Sequence, residues 1–302
     1  MTYAIETADL TRTFGRLAAV RDLSLRVPQG IVFALIGPNG AGKTTTIKLL
    51  MNLIRPTRGA ARVLGTDATG LGPAQFERIG YVSENQQLPE WMTLTQLIDY
   101  CRPLYPAWDD ELRRTLRGEL GLRTVETIGR MSRGTRMKAA LLVSLAYRPH
   151  LLMLDEPFTG LDPLVREELV RGLLEVPDDK RPWTIVLSSH DVDEVERLAD
   201  WVGFMADGRM VFAEPVASLL ARFRRVEVVT TGEPPRMPGR SDWLPDGQSG
   251  RTLRFFDTAH IGPDAAVRLE AAFPSAAIRT APMSLREIFV VIARQQQTAA
   301  AI

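Results

Sequence analysis

Gly37-Pro38-Asn39-Gly40-Ala41-Gly42-Lys43-Thr44 constrains this chain more than any other segment, because it sits between an apolar run at 31–36 and helical periodicity at 43–53. An unbroken apolar run of strand length reads as a strand covered on both faces. The spacing G-x4-G-K-[ST] after such a strand predicts a loop that holds phosphate. Its glycines let the backbone fold tightly and aim N–H groups at anionic oxygens. The helix that follows turns its positive dipole end to the same anion. Lys43 adds a point charge for the β- and γ-phosphates, and the Thr44 hydroxyl is placed to ligate Mg2+. Gly37, Pro38, Asn39, Gly40, Ala41, Gly42, Lys43, Thr44 and Thr45 form the expected nucleotide-binding segment.

The surrounding pattern predicts the scaffold. Residues 3–10 and 23–27 alternate as strands do, and Pro28-Gln29-Gly30 is turn chemistry. Buried-type strands are expected at 79–82, 151–154 and 184–188, with a helix at 163–174. Residues 94–147 read as mostly helical, broken at Pro103, Pro106, Gly121 and Gly129. Strands alternating with helices indicate an α/β domain on a mainly parallel sheet. That domain is expected at 1–222, with a helical insertion at about 86–148. Past Arg222 the texture changes, and 233–250 is rich in Pro, Gly and Ser and reads as a loop. Strands at 226–230 and 253–256 and helices at 263–273 and 285–294 make 223–302 a small α+β extension, with a frayed tail from 295.

A second chemical signal follows the 151–154 strand, which ends in Asp155-Glu156. A buried strand that delivers acid at its carboxyl end places it where α/β sheets bind ligands. Asp155 fits a direct or water-mediated ligand of Mg2+, and Glu156 fits the group that polarises an attacking water. Alone, the pair is more often a solvated strand end; beside the phosphate loop it points to phosphoryl chemistry.

Composition narrows the partners. Lys+Arg 37 against Asp+Glu 36 leaves a net charge of +1, so bulk charge gives no reason to expect binding to nucleic acid. The single cysteine, Cys101, cannot close an internal disulfide and suits a reducing compartment. The first residues lack a signal-peptide core, and no uncharged apolar run nears the roughly 18 residues of a membrane span. The expectation is an intracellular chain.

These residues, taken in order, resemble the ATP-binding subunits of ABC transporters over about 3–222. Thr13-Phe14-Gly15 sits where that family places an aromatic that stacks on adenine. Ile79-Gly80-Tyr81-Val82-Ser83-Glu84 resembles the strand leading into its glutamine loop, and Met131-Ser132-Arg133-Gly134-Thr135 stands at its L-S-G-G-Q signature. Gly160-Leu161-Asp162 matches its D-loop, and Ser188-Ser189-His190 its switch histidine. The resemblance implies a P-loop ATPase using ATP and Mg2+. It makes Glu156 and His190 catalytic, has Phe14, Ser132 and Gly134 bind nucleotide, and puts Glu84 near the metal with Thr44 and Asp155. Three departures stand out: Glu84 replaces glutamine, Arg133 the first signature glycine and Thr135 the signature glutamine. From the residues alone, Phe14 is equally a core aromatic, His190 a satisfied buried histidine, and Ser132 a helix cap.

The resemblance further implies a homodimer closing on two ATP and driving a separate transmembrane permease, with the chain cytoplasmic and peripheral on the inner face of the membrane. It is nearest to the single-domain subunits of drug-resistance-type exporters, whose extension ends much like Pro282-Met283-Ser284-Leu285-Arg286-Glu287-Ile288-Phe289. The rival is a soluble ATP-dependent clamp on ribosome or nucleic acid, which in this superfamily carries two ATP domains or a long coiled coil. A P-loop kinase would leave the signature segment and His190 without a role. Trp91 and Met92, ahead of the helical block, are expected either to anchor their loop or to meet the permease.

Overall fold

The computed structural model describes residues 2–123, 125–174, 183–262 and 264–300. The chain divides into two compact units, Met1–Ala213 and Glu214–Ile302.

In the first unit, β1 (Tyr3–Phe14) and β2 (Leu17–Pro28) form an antiparallel hairpin closed by Gly15 at φ +57°, a conformation that glycine adopts without penalty. The chain continues through β3 (Val32–Ile36), α1 (Lys43–Leu50), β4 (Arg58–Val63), β5 (Thr66–Asp67), α2 (Pro73–Phe76) and β6 (Ile79–Ser83). Next come α3 (Leu94–Cys101), α4 (Asp110–Glu119), α5 (Arg133–Leu145) and β7 (Leu151–Asp155). Then follow α6 (Pro163–Leu174), β8 (Thr184–Ser189), α7 (Val192–Leu198), β9 (Trp201–Ala206) and β10 (Arg209–Pro215).

Two sheets organise this unit. One has the order β10-β9-β3-β8-β7-β6, with parallel pairing of β9, β3, β8, β7 and β6. Such strands must be covered on both faces, and Leu151–Leu154 are indeed wholly buried. The other sheet, β2-β1-β4-β5, is antiparallel. Ile47 and Leu50 of α1 share one core with Val20 and Leu23 of β2 and with Phe33 and Leu35 of β3, so α1 is held by both sheets.

The helices α3, α4 and α5 lie between the paired strands β6 and β7, as the expected insertion does. Each starts on a cap that satisfies its orphan N–H groups: Thr93 with Gln96, Asp109, and Ser132. Among the described residues no helix is long and apolar enough to cross a membrane.

The second unit contains α8 (Val216–Arg222), β11 (Arg224–Val229), β12 (Trp243–Ser249), β13 (Thr252–Asp257), α9 (Asp264–Ala272), β14 (Ala277–Pro282) and α10 (Leu285–Ala300). Its strands form an antiparallel sheet in the order β12-β13-β11-β14 over a core of Val226, Val228, Trp243, Phe255 and Phe273. The units divide earlier than the 222/223 boundary read from sequence, because α8 is tied forward: the Arg222 guanidinium donates to the Thr258 carbonyl, and His260 N–H to the Arg222 carbonyl. Two further expectations are corrected. The loop at 233–250 contains β12, and the tail from 295 is helical to Ala300.

Candidate nucleotide site

Register builds the site. Ser83 pairs with Asp155, Asp155 with Ser188, and Ile36 with Ser189, so four neighbouring parallel strands end together. The residues that follow them are Glu84, Glu156, His190 and Gly37, gathered along the carboxyl edge where such sheets bind ligands.

The glycine-rich loop links β3 to α1. A side chain at position 37 would place its Cβ 2.2 Å from the Met205 carbonyl oxygen, and one at 42 would place it 2.4 Å from that of Ala19. Gly42, at φ +103°, leads into α1, while Pro38, Asn39 and Gly40 are exposed, and Thr44 and Thr45 are half-buried. Lys43 is buried inside the loop, its Nζ donating to the carbonyls of Gly37 (2.7 Å) and Pro38 (3.3 Å). The ammonium also lies 3.2 Å from Glu156 Oε1.

Two carboxylates sit side by side with opposite tendencies. Burial raises the Asp155 carboxyl above its ordinary value, although the hydroxyls of Ser188 (2.8 Å) and Thr44 (2.9 Å) both donate to its Oδ1. Burial would raise Glu156 too, but His190, Lys43 and Thr159 outweigh it and hold that carboxyl below its ordinary value. His190 Nδ1 is 2.8 Å from Glu156 Oε2, and Thr159 Oγ1 donates to the same oxygen at 3.0 Å. Glu156 occupies the left-handed region at φ +52°, an uncommon conformation for a non-glycine residue. Its N–H donates to Ser188 Oγ at 2.9 Å, so Ser188 locks both acids. Sequence reading gave Ser188 and Thr159 no role. The register opposite Asp155 is the signal that would have singled out Ser188.

The remaining candidates are placed individually. Phe14 is 45 % exposed at the end of β1, with the Arg12 guanidinium over its ring, which removes the core-aromatic alternative. His190 is exposed and paired with Glu156, so it is no satisfied core histidine. Ser132 caps α5 by accepting from Thr135 N–H, and the helix starts at Arg133 rather than near Arg136. Gly134 is buried where a Cβ would meet Val165 of α6 at 2.8 Å, so it lets the two helices close up. These contacts of Ser132 and Gly134 lie in α5 and α6, not at the phosphate loop. Glu84 adjoins Asp155 through its backbone, its N–H donating to the Asp155 carbonyl at 2.9 Å, and its carboxylate accepts from Arg133 Nη2 at 2.6 Å.

A groove of about 700 Å³ adjoins this edge, lined among others by Glu84, Gln87, Leu88, Trp91, Arg136 and Ala140. Trp91 on its rim is 75 % exposed, so it does not anchor its own loop. Backbone bonds do that: Gly129 N–H donates to the Glu90 carbonyl and Ile128 N–H to that of Met92.

A family model described as ABC transporter matches residues 20–159. The bacitracin transport ATP-binding protein BcrA of Bacillus licheniformis is 32% identical over 74% of this chain and 74% of its own length. The daunorubicin/doxorubicin resistance ATP-binding protein DrrA of Streptomyces peucetius is 34% identical over 70% of this chain and 64% of its own. The sulfate/thiosulfate import ATP-binding protein CysA of Escherichia coli is 30% identical over 73% and 64%. Among solved structures, one described as the ATP-binding subunit of an ABC transporter aligns with TM-score 0.65 at 29% identity, covering 72% of this chain and 92% of that one.

Proposed function

Because the chain belongs to the ABC transporter family, we propose that it is an ATP-hydrolysing subunit driving a permease carried on a separate chain. The observation that supports this best is the connected set at the strand ends: Thr44, Asp155, Ser188 and Glu156 are bonded in turn, and His190 and Lys43 both meet Glu156.

Each member has work suited to its chemistry. The loop N–H groups, Lys43 and the α1 dipole would bind the β- and γ-phosphates, with Phe14 stacking on the base. Thr44 and Asp155 bring a hydroxyl and a carboxylate together, an oxygen-only set that suits Mg2+. Bound there, the ion would neutralise phosphate charge. Phosphate would give Lys43 an anion other than Glu156 and leave that carboxylate to a water, with His190 and Thr159 holding its orientation.

Ser132 and the start of α5 have no such task within one subunit. We assign them to the γ-phosphate of a second copy, so that two ATP are shared between two chains. The groove beside Trp91 is the proposed permease contact, with an exposed tryptophan as the kind of anchor such interfaces favour. That contact would hold the chain at the cytoplasmic face of the membrane. Export is the proposed direction, on the likeness to the daunorubicin/doxorubicin resistance protein. The likeness to the import protein favours the reverse reading. The tail segment does not decide between them: Ser284 and Glu287 form a capping box, and Leu285, Ile288 and Phe289 are core, so α10 needs that pattern for its own fold.

Purified chain should hydrolyse ATP, and Lys43→Ala should weaken ATP affinity by about one to two decades, the loss of one charge-assisted contact. Unchanged affinity in a nucleotide titration would reject the site. Transport by vesicles containing chain and permease, assayed from each side, fixes the direction.

A further inference from the structure

We propose that Glu84 and Arg133 are a positioning pair, fastening the first turn of α5 to the catalytic edge of the sheet, so that each offsets the other. The inference rests on the ATPase reading above.

The pair joins three separate segments. Arg133 is the first residue of α5, directly after the Ser132 cap, and its Nη2 donates to Glu84 Oε1 at 2.6 Å. Glu84 is itself fixed by its backbone, whose N–H donates to the Asp155 carbonyl at 2.9 Å. The third segment is the loop between β7 and α6. A Cβ at Gly160, where φ is +68°, would stand 2.7 Å from Arg133 Nη1, so the guanidinium lies against bare backbone just beyond Glu156. A larger residue at 160 would push the arginine away.

Electrostatics explains why neither residue suits its place alone. A cation in the first turn of a helix faces the positive end of the helix dipole, which is unfavourable, whereas a carboxylate there is favourable. Glu84 supplies that carboxylate to α5 from another segment. Conversely, Glu84 without Arg133 would add a carboxylate with no cation at its side to an edge that already carries Asp155 and Glu156. The side chains are 42 % and 30 % exposed, so the pair adds little to stability. Its value is placement: the cap that would meet a partner's nucleotide is tied to the loops that flank this subunit's own acids.

The test is a double-mutant cycle on the full chain, with Glu84→Gln, Arg133→Gly and both together. Turnover at saturating ATP, KM for ATP and melting temperature are measured on the same preparations. Each single change is expected to lower kcat about tenfold, and the double to return within about twofold of the native rate, the size of coupling seen between charged neighbours. KM is expected to stay constant and melting temperatures to add. Losses of kcat that multiply in the double would overturn the proposal, as would melting temperatures that couple in step with kcat, which would make the contact a structural tie only. A native chain without ATPase activity would overturn the ATPase reading, and this inference with it. Multiplying losses in an active enzyme would overturn this inference alone.

Discussion

Ser188 shows how much of the site depends on a residue that touches no nucleotide in the proposed reading. Its wholly buried hydroxyl donates to Asp155 and accepts from the Glu156 N–H. Ser188→Ala would take the acceptor from the Glu156 N–H and leave Asp155 Oδ1 with the Thr44 hydroxyl alone, at a cost of about 1–3 kcal/mol. The pH dependence has a definite sign. Asp155 is raised by burial, so its contribution to stability falls as pH rises through its ordinary value of 3.8 towards its folded one. Ser188 offsets that rise, so the melting-temperature gap between native chain and variant is expected to widen from acid to neutral pH. A gap constant with pH would deny the bond its electrostatic role. Legibility at this scale followed chain proximity. Lys43, Thr44, Asp155 and Glu156 announced themselves through motif and strand, because their chemistry is written in consecutive residues. The Glu84–Arg133 contact did not. It joins residues in different segments, and only the packing of α5 brings them together. The resemblance puts Glu84 near the metal and gives Arg133 no part in its placement.

Elements were legible where burial imposed a period. β3, β7 and β8 stood out as apolar runs because both faces are covered. β12 did not, since it is an edge strand carrying Pro245 and Gly247 with most of its residues exposed, and edge strands tolerate both. β4 begins Arg58-Gly59-Ala60 and is exposed along its first half, so neither alternation nor an apolar run marks it. The loop ahead of α3 belongs to this scale as well. Trp91→Ala is expected to change stability by no more than about 0.5 kcal/mol, because the ring is exposed, and to leave ATP affinity intact. Pull-down of the permease should weaken. A lowered melting temperature with normal pull-down would make Trp91 a packing residue.

The chain divides into two compact units, each with an apolar cluster of its own, and whether they melt independently can be tested. Phe255 is fully buried among Trp243 and Phe273 in the second unit. Phe255→Ala is expected to cost that unit about 3–5 kcal/mol. Calorimetry should show one transition lowered, while the transition raised by ATP stays in place. Two transitions lowered together would mean that the second unit supports the nucleotide site.

The central claim is that ATP is held between two copies of this chain, each completing the other's site with Ser132. Glu156→Gln tests it most directly, because the amide keeps the shape of the side chain but cannot take the water's proton, so a closed state should accumulate. The measurement is molar mass by size-exclusion chromatography with light scattering, with and without ATP and Mg2+, at protein concentrations where the nucleotide is shown to be bound. The expected result is a monomer without nucleotide, a dimer with it, and loss of that dimer when Ser132→Arg is added. A variant that binds ATP and stays monomeric at every concentration would contradict the account.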